Sequence, residues 1–410
     1  MITRIEIDGF KTFEDFSLDV SPFLVLLGAN GSGKSNLLEA VALLGRLVKD
    51  PRGQTLVRYA RRGGARELFR RGPEGGLVDA MRLSANVLVR TPLGAAHVRV
   101  EMTIDTQGAS ETLAVQGRFT CLGSEGLELP RAVAEQIDRN ATRVLRGDPD
   151  PVAENQAQRA VFGAVREAVA GWRILDLQPE AMRRPSDAYD SDPLAEDGSN
   201  LGAVLGRLWE GKPEGKAGFE ADVAAVLPEV RKIDVARDVE RGQWDIWIRH
   251  RNEPKMPPQV VSGGTLRLLG LLAAAHDPVH SGVLMLEEPE NGLHPSRVPR
   301  LLERLRERAT DLRRSEPQEW EWYGGVGRGD SDGLHQILVT SHSPVVLSSL
   351  LDKASHDVVF LDTVTRLGGG QSPTRLTRAR KVAGSGERGT YVTPMEVRQY
   401  LNPVGYEHGA

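Results

Sequence analysis

The first residues of the chain alternate between apolar and polar positions in short runs that turn-forming residues interrupt. Residues 2–8, 14–20 and 23–28 each fit a β-strand, and the third run is apolar throughout, as in a strand buried on both faces. Residues 36–48 then space their apolar positions as an amphipathic helix does. The chain is therefore predicted to open with three strands, the third of them buried and followed by a turn and a helix.

Three longer runs alternate strictly enough to predict an antiparallel meander with one face in solvent. These runs are residues 81–90, 96–106 and 111–122. Two helical runs follow at residues 130–145 and 151–171, and the turn between them predicts a helical hairpin. Neither run keeps a heptad repeat, so no long coiled coil is expected.

The rest of the chain combines short apolar runs with helical patterns, which predicts buried strands of a parallel or mixed sheet. The strands are expected at residues 283–286, 337–340 and 358–363, and the helices at 219–227, 265–275 and 297–314. Residues 231–237 and 243–250 predict a hairpin, the polar stretch 183–200 predicts a mobile linker or a loop, and residues 393–401 predict a short terminal helix.

Together these patterns predict an α/β fold with a mixed or parallel core sheet, an antiparallel β-subdomain and an inserted helical hairpin. We expect four regions along the chain. They are an N-terminal lobe with the meander over 1–128, a helical insertion with a mobile linker over 129–230, a C-terminal lobe over 231–365, and a flexible Arg/Gly-rich tail with a short terminal helix over 366–410.

Composition excludes several classes of protein. The 410 residues are 40% apolar and 26% charged, which is ordinary for a globular chain with two or three core-forming units. The single cysteine, Cys121, excludes an intramolecular disulfide and a cysteine-based zinc site, and it is expected in the core. No run of 18 apolar residues occurs and residues 1–6 alternate like a strand, so we expect a cytoplasmic protein without a membrane span.

The net charge of −4 means that bulk charge does not make the chain a binder of polyanions. Arginines nevertheless cluster at residues 52–71 and 366–381. Each cluster is either a surface for DNA or an acidic partner, or an ordinary solvated face, and the sequence leaves both interpretations open.

Residues 28–35 read Gly-Ala-Asn-Gly-Ser-Gly-Lys-Ser and fit the phosphate-loop pattern G-x-x-x-x-G-K-[ST], between the strand and helix that this motif requires. The glycines let backbone N–H groups turn toward phosphate oxygens, and the helix points its N-terminus at the same anion. Lys34 would reach the β- and γ-phosphates of ATP, and the Ser35 hydroxyl would ligate Mg²⁺. The predicted nucleotide contacts are Asn30, Gly31, Ser32, Gly33, Lys34, Ser35 and Asn36.

A second candidate element is the apolar run 283–286, which ends in the carboxylates of Glu287 and Glu288. A buried strand would carry both to its C-terminal end, where ligands bind in open α/β sheets. Glu287 would then hold the hydration shell of Mg²⁺, and Glu288 would polarise the attacking water as the catalytic base. Taken alone, the pair could simply cap the turn at Pro289.

Two further segments are candidate phosphate contacts because of their order in the chain relative to the phosphate loop and the acidic strand. Ser262, Gly263 and Gly264 precede a predicted helix and offer a hydroxyl, backbone N–H groups and a helix N-terminus to an anion, although an ordinary serine N-cap has the same pattern. His342 follows a predicted buried strand and could hydrogen-bond a γ-phosphate oxygen, although a lone histidine there is more often structural.

The order and the later spacings of these elements resemble the ATP-binding-cassette (ABC) ATPases, and within them the SMC/RecF/Old-like branch. The matching segments are GANGSGKSN at residues 28–36, the signature at 262–265, Walker B at 284–288, ENGLHP at 290–295 in the D-loop position and the switch histidine segment at 340–344. IDGFKTF at residues 7–13 resembles the N-terminal element of that branch, which would bring Lys11 and Thr12 beside the nucleotide.

The resemblance implies an ABC-type ATPase head that binds ATP and Mg²⁺ and hydrolyses the nucleotide. Two subunits would close head to tail, so that Ser262 and Gly264 of one meet the γ-phosphate bound at Lys34 of the other, in a homodimer or a higher even oligomer. Glu287 departs from the usual Walker B aspartate, and Glu-Glu-Pro-Glu is common in the Old-like ATPases. The 68 residues after His342 are too few for a Toprim nuclease domain, which implies a stand-alone ATPase beside a separate effector such as a nuclease.

Three functions stay open at this point. The first is an ATPase that gates a separate effector in anti-phage defence. The second is a DNA-repair or chromosome-associated ATPase that clamps duplex DNA, and the third is an ATP-bound scaffold with little turnover. The D-loop and N-terminal segments speak against a transporter cassette. The helices at 130–171 and the aromatic residues at 320–323 are the candidate docking surfaces for an effector, although those aromatics could equally pack in the core.

Overall fold

The computed structural model describes residues 1–51, 56, 64–72, 75–106, 113–145, 156–280, 282–312, 334–366, 374–382 and 389–401. Its strands are β1 (Ile2–Asp8), β2 (Phe16–Asp19), β3 (Phe23–Leu27), β4 (Ala80–Thr91), β5 (Gly94–Thr106), β6 (Leu113–Leu122), β7 (Arg173–Leu175), β8 (Ser186–Asp187), β9 (Val230–Asp238), β10 (Gln243–His250), β11 (Lys255–Met256), β12 (Gly282–Glu287), β13 (His335–Ser341), β14 (Val358–Arg366) and β15 (Thr374–Lys381). Its helices are α1 (Lys34–Lys49), α2 (Arg131–Leu145), α3 (Gln156–Ala170), α4 (Pro179–Met182), α5 (Leu201–Glu210), α6 (Pro213–Val226), α7 (Gly263–His276), α8 (Val298–Arg308), α9 (Pro344–Ala354) and α10 (Pro394–Leu401).

A six-stranded core sheet has the order β15-β14-β3-β13-β12-β7, and its strands are parallel except β15, which runs antiparallel to β14. All five residues of β3 are buried, because both faces of the sheet are covered. Successive side chains of a strand point to opposite faces, so Leu24 and Leu26 join one hydrophobic cluster while Val25 and Leu27 join another. The parallel direction brings the C-terminal ends of β3, β12 and β13 to the same edge.

The two hydrophobic clusters define the layers around the core sheet. On one face lie α1, α3 and a five-stranded antiparallel sheet with the order β2-β1-β4-β5-β6. On the other face lie helices α5 to α9, with a small sheet in which β10 pairs with β8, β9 and β11. The antiparallel sheet contains Cys121, which is buried as expected, and burial raises the pKa of its thiol. The fold is therefore the mixed α/β architecture that the sequence predicts.

Most predicted elements are present with shifts of a few residues at their ends, but three expectations need correction. Residues 183–200 are folded rather than a mobile linker: the Asn200 side chain accepts from the Ala195 N–H at 2.7 Å and donates to the carbonyl of Pro193 at 3.1 Å. Residues 374–381, expected in a flexible tail, form β15 of the core sheet. The helix expected over 297–314 ends at Arg308, and residues 313–314 lie outside the described part.

The core sheet draws strands from all four of the regions predicted along the chain: β3, β7, β12 to β14, and β15. Helix α5 was not predicted at all. Within the described ranges, each helix is too short or too polar to cross a membrane.

Candidate nucleotide-binding site

The loop between β3 and α1 owes its shape to glycine. Gly31 and Gly33 have φ angles of 79° and 100°, in the left-handed region that glycine adopts without strain. A side chain at Gly28 would collide with the carbonyl oxygen of Leu361. The loop can therefore turn tightly from the end of β3 into the first residue of α1, Lys34.

The side chain of Lys34 folds back across this loop. Its ammonium donates to the carbonyl oxygens of Gly28 at 2.8 Å and Ala29 at 3.1 Å, and the residue is 5% exposed. Burial lowers the pKa of Lys34, and the nearby carboxylates of Glu288 and Glu290 oppose that shift. An ammonium has three N–H donors, so two carbonyl contacts leave one for an anion.

Ser35 and Glu287 are 252 residues apart in the chain, and the Ser35 hydroxyl donates to the Glu287 carboxylate. Both side chains are exposed at the edge where the parallel strands end. A hydroxyl and a carboxylate whose oxygens converge on one point are hard donors of the kind that Mg²⁺ prefers. The pair therefore fits the predicted metal ion. Among the described residues, no cluster of three or more His, Cys, Asp or Glu side chains offers another metal site.

Glu288 follows β12 and is held from three sides. Its backbone adopts a φ of 44°, and its N–H donates to the carbonyl of Thr340 at 3.0 Å. His342 Nδ1 lies 2.9 Å from Oε1, and the Asn291 amide donates to Oε2 at 2.8 Å. Burial alone would raise the pKa of Glu288, but the hydrogen bonds from Asn291 and His342 outweigh it and hold the pKa below its usual range. The carboxylate is therefore both ionised and oriented.

Glu290 is buried and holds the segment that carries the histidine. It accepts a hydrogen bond from the Ser341 hydroxyl, which in turn accepts from the Ser343 N–H at 2.9 Å. Burial raises the pKa of Glu290. Tyr400 of α10 lies close enough that burial, and then the neighbouring carboxylates, raise the pKa of its hydroxyl to about 12. The C-terminal helix thus packs near the acidic residues of the site.

The Ser-Gly-Gly segment lies at the start of α7. Ser262 is exposed and caps the helix, because its hydroxyl oxygen accepts from the Thr265 N–H at 3.1 Å. A side chain on Gly264 would lie 3.0 Å from the carbonyl oxygen of Gly292, so the segment packs against the D-loop of its own chain. Within the described part of the chain, the segment makes no hydrogen bond to the phosphate loop. The structure thus brings Ser35, Glu287, Glu288 and His342 together around Lys34 and leaves Ser262, Gly263 and Gly264 apart.

The other predicted contacts lie around the loop. Lys11 donates to Asn36 at 3.2 Å and pairs with Glu39, so the N-terminal element lies against the start of α1. The Thr12 hydroxyl oxygen lies 2.7 Å from the hydroxyl oxygen of Thr377 on β15. Asn30 is exposed at the tip of the loop.

Sequence reasoning missed two residues that contact the loop from the C-terminal hairpin. Thr377 of β15 donates from its hydroxyl to the Ser32 carbonyl at 3.2 Å, and Thr363 of β14 donates to the Gly31 carbonyl at 3.3 Å. The sequence offered little signal for this stretch, because the apolar residues of 374–381 are Leu376 and Ala379 alone, and they do not alternate with polar ones. Its polar positions are mostly arginine and threonine, so the stretch looked like solvated tail.

Several described arginines of the two basic clusters are paired within the chain. Arg70 lies 2.9 Å from Glu14, and both Arg378 and Arg380 contact Asp362. These ion pairs favour the solvated-face interpretation for the described members. Most of the first cluster, residues 52–55 and 57–63, lies outside the described part.

Of the two candidate docking surfaces, the structure describes the pair of helices and not the aromatic segment. Helices α2 and α3 bury their apolar faces in their own chain, with Val133 and Ile137 in one hydrophobic cluster and Val161 and Val165 in another. The aromatic residues 320–323 lie outside the described residues.

The chain matches two family models. One is described as AAA domain, putative AbiEii toxin, Type IV TA system, and covers residues 138–348; the other, AAA ATPase domain, covers residues 1–53. The chain is 26% identical to the DNA replication and repair protein RecF of Rhizobium rhizogenes over 325 residues, which are 70% of this chain and 84% of that protein. It is 31% identical to the phosphonates import ATP-binding protein PhnC 2 of Cupriavidus necator over 182 residues, 38% of this chain and 63% of that protein. The chain thus spans less than two thirds of PhnC 2.

Among solved structures, the fold is similar to an Smc head bound to the C-winged helix domain of ScpA. The TM-score is 0.52 at 15% identity, and the alignment covers 92% of this chain and 98% of the other. These matches support the resemblance to SMC/RecF-like ABC ATPases that the sequence indicated. The first family model covers more than half of the chain, and the chain belongs to that family, the AAA domain family described as putative AbiEii toxin, Type IV TA system.

Proposed function

We propose that the chain binds ATP with Mg²⁺ at residues 28–35 and hydrolyses it. The observation that carries this proposal is the convergence of Ser35, Glu287, Glu288 and His342 at one edge of the core sheet. These residues come from three distant segments of the chain, and Glu288 lies 4.0 Å from the buried ammonium of Lys34. Such an edge is where open α/β sheets bind their ligands.

Each residue has a distinct proposed role. Lys34 and the N–H groups of the loop would hold the phosphates, and Ser35 and Glu287 would hold Mg²⁺. When bound, that ion supplies positive charge that neutralises the β- and γ-phosphate oxygens. Glu288 is ionised and oriented, so it can accept a proton from the attacking water. His342 faces Glu288 with one ring nitrogen and leaves the other for a phosphate oxygen.

We further propose that two copies complete each site. Ser262 is exposed, and within the described ranges it makes no hydrogen bond to the phosphate loop of its own chain. A hydroxyl and the N–H groups at the N-terminus of a 14-residue helix suit the γ-phosphate of a nucleotide on a second copy. A two-fold arrangement then gives two identical sites in which ATP bridges the subunits.

The output of such a dimer is a change of shape, because ATP links the subunits and hydrolysis removes the link. We propose that this change gates a separate effector protein in anti-phage defence. The family description names a putative AbiEii toxin of a Type IV TA system, which supports a defence role. Similarity to a DNA replication and repair protein supports a second candidate, a clamp on duplex DNA. DNA binding that strengthens with ATP and weakens steeply with salt favours the clamp, whereas a co-purifying protein partner favours the gated effector.

Mixing two inactive variants tests the shared site. Lys34→Ala removes the charge of the phosphate loop, and Ser262→Arg fills the signature, so each homodimer has two inactive sites. A mixed dimer has one site with both halves intact. After equal mixing and subunit exchange, we expect about a quarter of the wild-type ATPase rate, since half of the dimers carry one active site out of two.

The controls decide how the mixture is interpreted. Exchange is verified by pull-down of an untagged variant with a tagged one. If either variant alone keeps full activity, the site is not composite, and if exchanged mixtures stay inactive, the head-to-tail arrangement is wrong.

A further inference from the structure

We propose that Thr377 is a positioning residue for the phosphate loop, a role that rests on the proposed ATP site. Thr377 and Ser32 are 345 residues apart, yet the Thr377 hydroxyl donates to the Ser32 carbonyl oxygen at 3.2 Å. Thr377 is 5% exposed, so this bond is shielded from water. A hydroxyl has one proton to donate, so in the 2.7 Å contact between the two hydroxyls Thr12 is the donor. The Thr377 N–H also donates to the Thr12 carbonyl at 2.9 Å.

These bonds fix the direction of one peptide group in the loop. A trans peptide is planar and carries its C=O and N–H on opposite sides. Because Thr377 holds the Ser32 C=O, the N–H of Gly33 in the same peptide points away from Thr377. Backbone N–H groups are the donors with which a phosphate loop binds its anion. The Thr377 hydroxyl therefore orients one of these donors without itself contacting the nucleotide.

Thr363 supports the neighbouring peptide in the same way. Thr363 and Thr377 lie directly opposite each other in the antiparallel pair of β14 and β15. The Thr363 hydroxyl donates to the Gly31 carbonyl at 3.3 Å, so the two threonines hold two consecutive peptide groups.

The fit between Thr377 and the loop is also steric. Gly33 has a φ of 100°, and a side chain there would collide with the Thr377 hydroxyl. The C-terminal hairpin is thus a support for the phosphate loop.

Isosteric substitution tests this role. Thr377→Val removes the hydroxyl and keeps the side-chain shape, Thr377→Ser keeps the hydroxyl, and Thr365→Val removes an exposed hydroxyl from the same hairpin as a control. Binding is measured by calorimetry with Mg²⁺ and a non-hydrolysable imido analogue of ATP. We expect Thr377→Val to bind about tenfold more weakly, which corresponds to about 1.4 kcal/mol. We expect Thr377→Ser to stay within about twofold of wild type, and Thr365→Val to be unchanged.

Steady-state kinetics separate positioning from catalysis. In Thr377→Val, KM should rise by the same factor as the dissociation constant while kcat stays within about twofold. If Thr377→Val does not fold, Thr377→Cys takes its place, because a thiol is a weak donor of similar size.

Two results would overturn the proposal: wild-type affinity in Thr377→Val, or equal loss of affinity in Thr377→Ser. Lys34→Ala in the same assay separates this failure from failure of the ATP site. If Lys34→Ala binds as wild type does, the proposed function is wrong. If Lys34→Ala alone loses binding, the fault lies in the role assigned to Thr377.

Discussion

Glu288→Gln removes the charge of the proposed catalytic base and keeps its shape. In the structure, Oε1 lies 2.9 Å from His342 Nδ1, and Oε2 accepts from Asn291 at 2.8 Å. A glutamine can present its oxygen to His342 and its NH₂ group to Asn291, because the Asn291 amide can turn its own oxygen toward it. The substitution therefore preserves the local hydrogen bonds and removes the ability to accept a proton.

The expected effects on rate and binding differ in size. General-base catalysis contributes about 10²–10⁴ in rate, so kcat should fall by about that factor, or about 2.7–5.4 kcal/mol in activation free energy. Affinity for ATP should stay equal or increase, because the variant loses a negative charge that lies 4.0 Å from Lys34 and would repel phosphate. Nucleotide should then persist in a closed dimer.

Phosphate release at saturating ATP measures kcat, and calorimetry measures affinity. The matched control is Glu290→Gln, which changes the carboxyl two residues along. Burial raises the pKa of Glu290, so its environment disfavours the charge that glutamine removes, and a glutamine still accepts from Ser341. We expect the control to lose less than about tenfold in kcat. Wild-type hydrolysis by Glu288→Gln, or an equal loss in Glu290→Gln, would refute the role assigned to Glu288.

Two further predictions concern pH. Asn291→Ala removes a hydrogen bond that lowers the pKa of Glu288, and a carboxylate with a depressed pKa acts as a base above that pKa and loses this function as pH falls through it. The acidic limb of the kcat–pH profile should therefore move to higher pH in Asn291→Ala, and an unchanged limb would contradict the prediction. In α10, the hydrogen bond from Arg380 and then those from Thr393 lower the pKa of Glu396 from 4.5 to about 2. A depressed pKa in the folded state contributes stability above the unfolded value, which is lost as pH falls through the folded value. Glu396→Gln should thus lower the thermal midpoint at neutral pH, with a difference that shrinks between pH 4.5 and about 2. A difference that is independent of pH would rule out this ion pair as its cause.

The convergence of the core residues of the candidate site is predictable from sequence because its signals are local. The phosphate loop needs glycine, lysine and serine at fixed spacing between a strand and a helix, and residues 28–35 supply all of them. Glu287 and Glu288 were found because a fully apolar run ends in them, and parallel strands carry such ends to one edge. The contact between Ser35 and Glu287 follows from these two local patterns and the order of the sheet.

The missed elements depend on contacts between distant residues. Helix α5 contains Gly202 and Gly206, which indicate a loop in isolation, but a side chain at Gly206 would collide with the ring of Trp244. The absence of side chains at Gly202 and Gly206 lets the helix pack closely against Trp244. The linker at 183–200 is ordered partly by Arg207, which reaches back to the Asp190 and Asp192 carbonyls. In the sequence, the arginines of β15 indicate a solvated stretch rather than a strand. The carboxylates that neutralise them in the fold, such as Asp362 for Arg378, lie on the neighbouring strand.

Binding of ATP by Lys34→Ala tests the central claim most directly. Lys34 supplies the ammonium within the loop, and a charge-assisted bond to phosphate cannot be replaced by alanine. Lys49→Ala is the matched control, because Lys49 is an exposed lysine in the last turn of the same helix. Calorimetry with ATP and Mg²⁺, on samples shown to be folded by circular dichroism, should give binding by wild type and Lys49→Ala and no measurable binding by Lys34→Ala. Equal ATP affinity in wild type and Lys34→Ala would contradict the assignment of residues 28–35 as the nucleotide site.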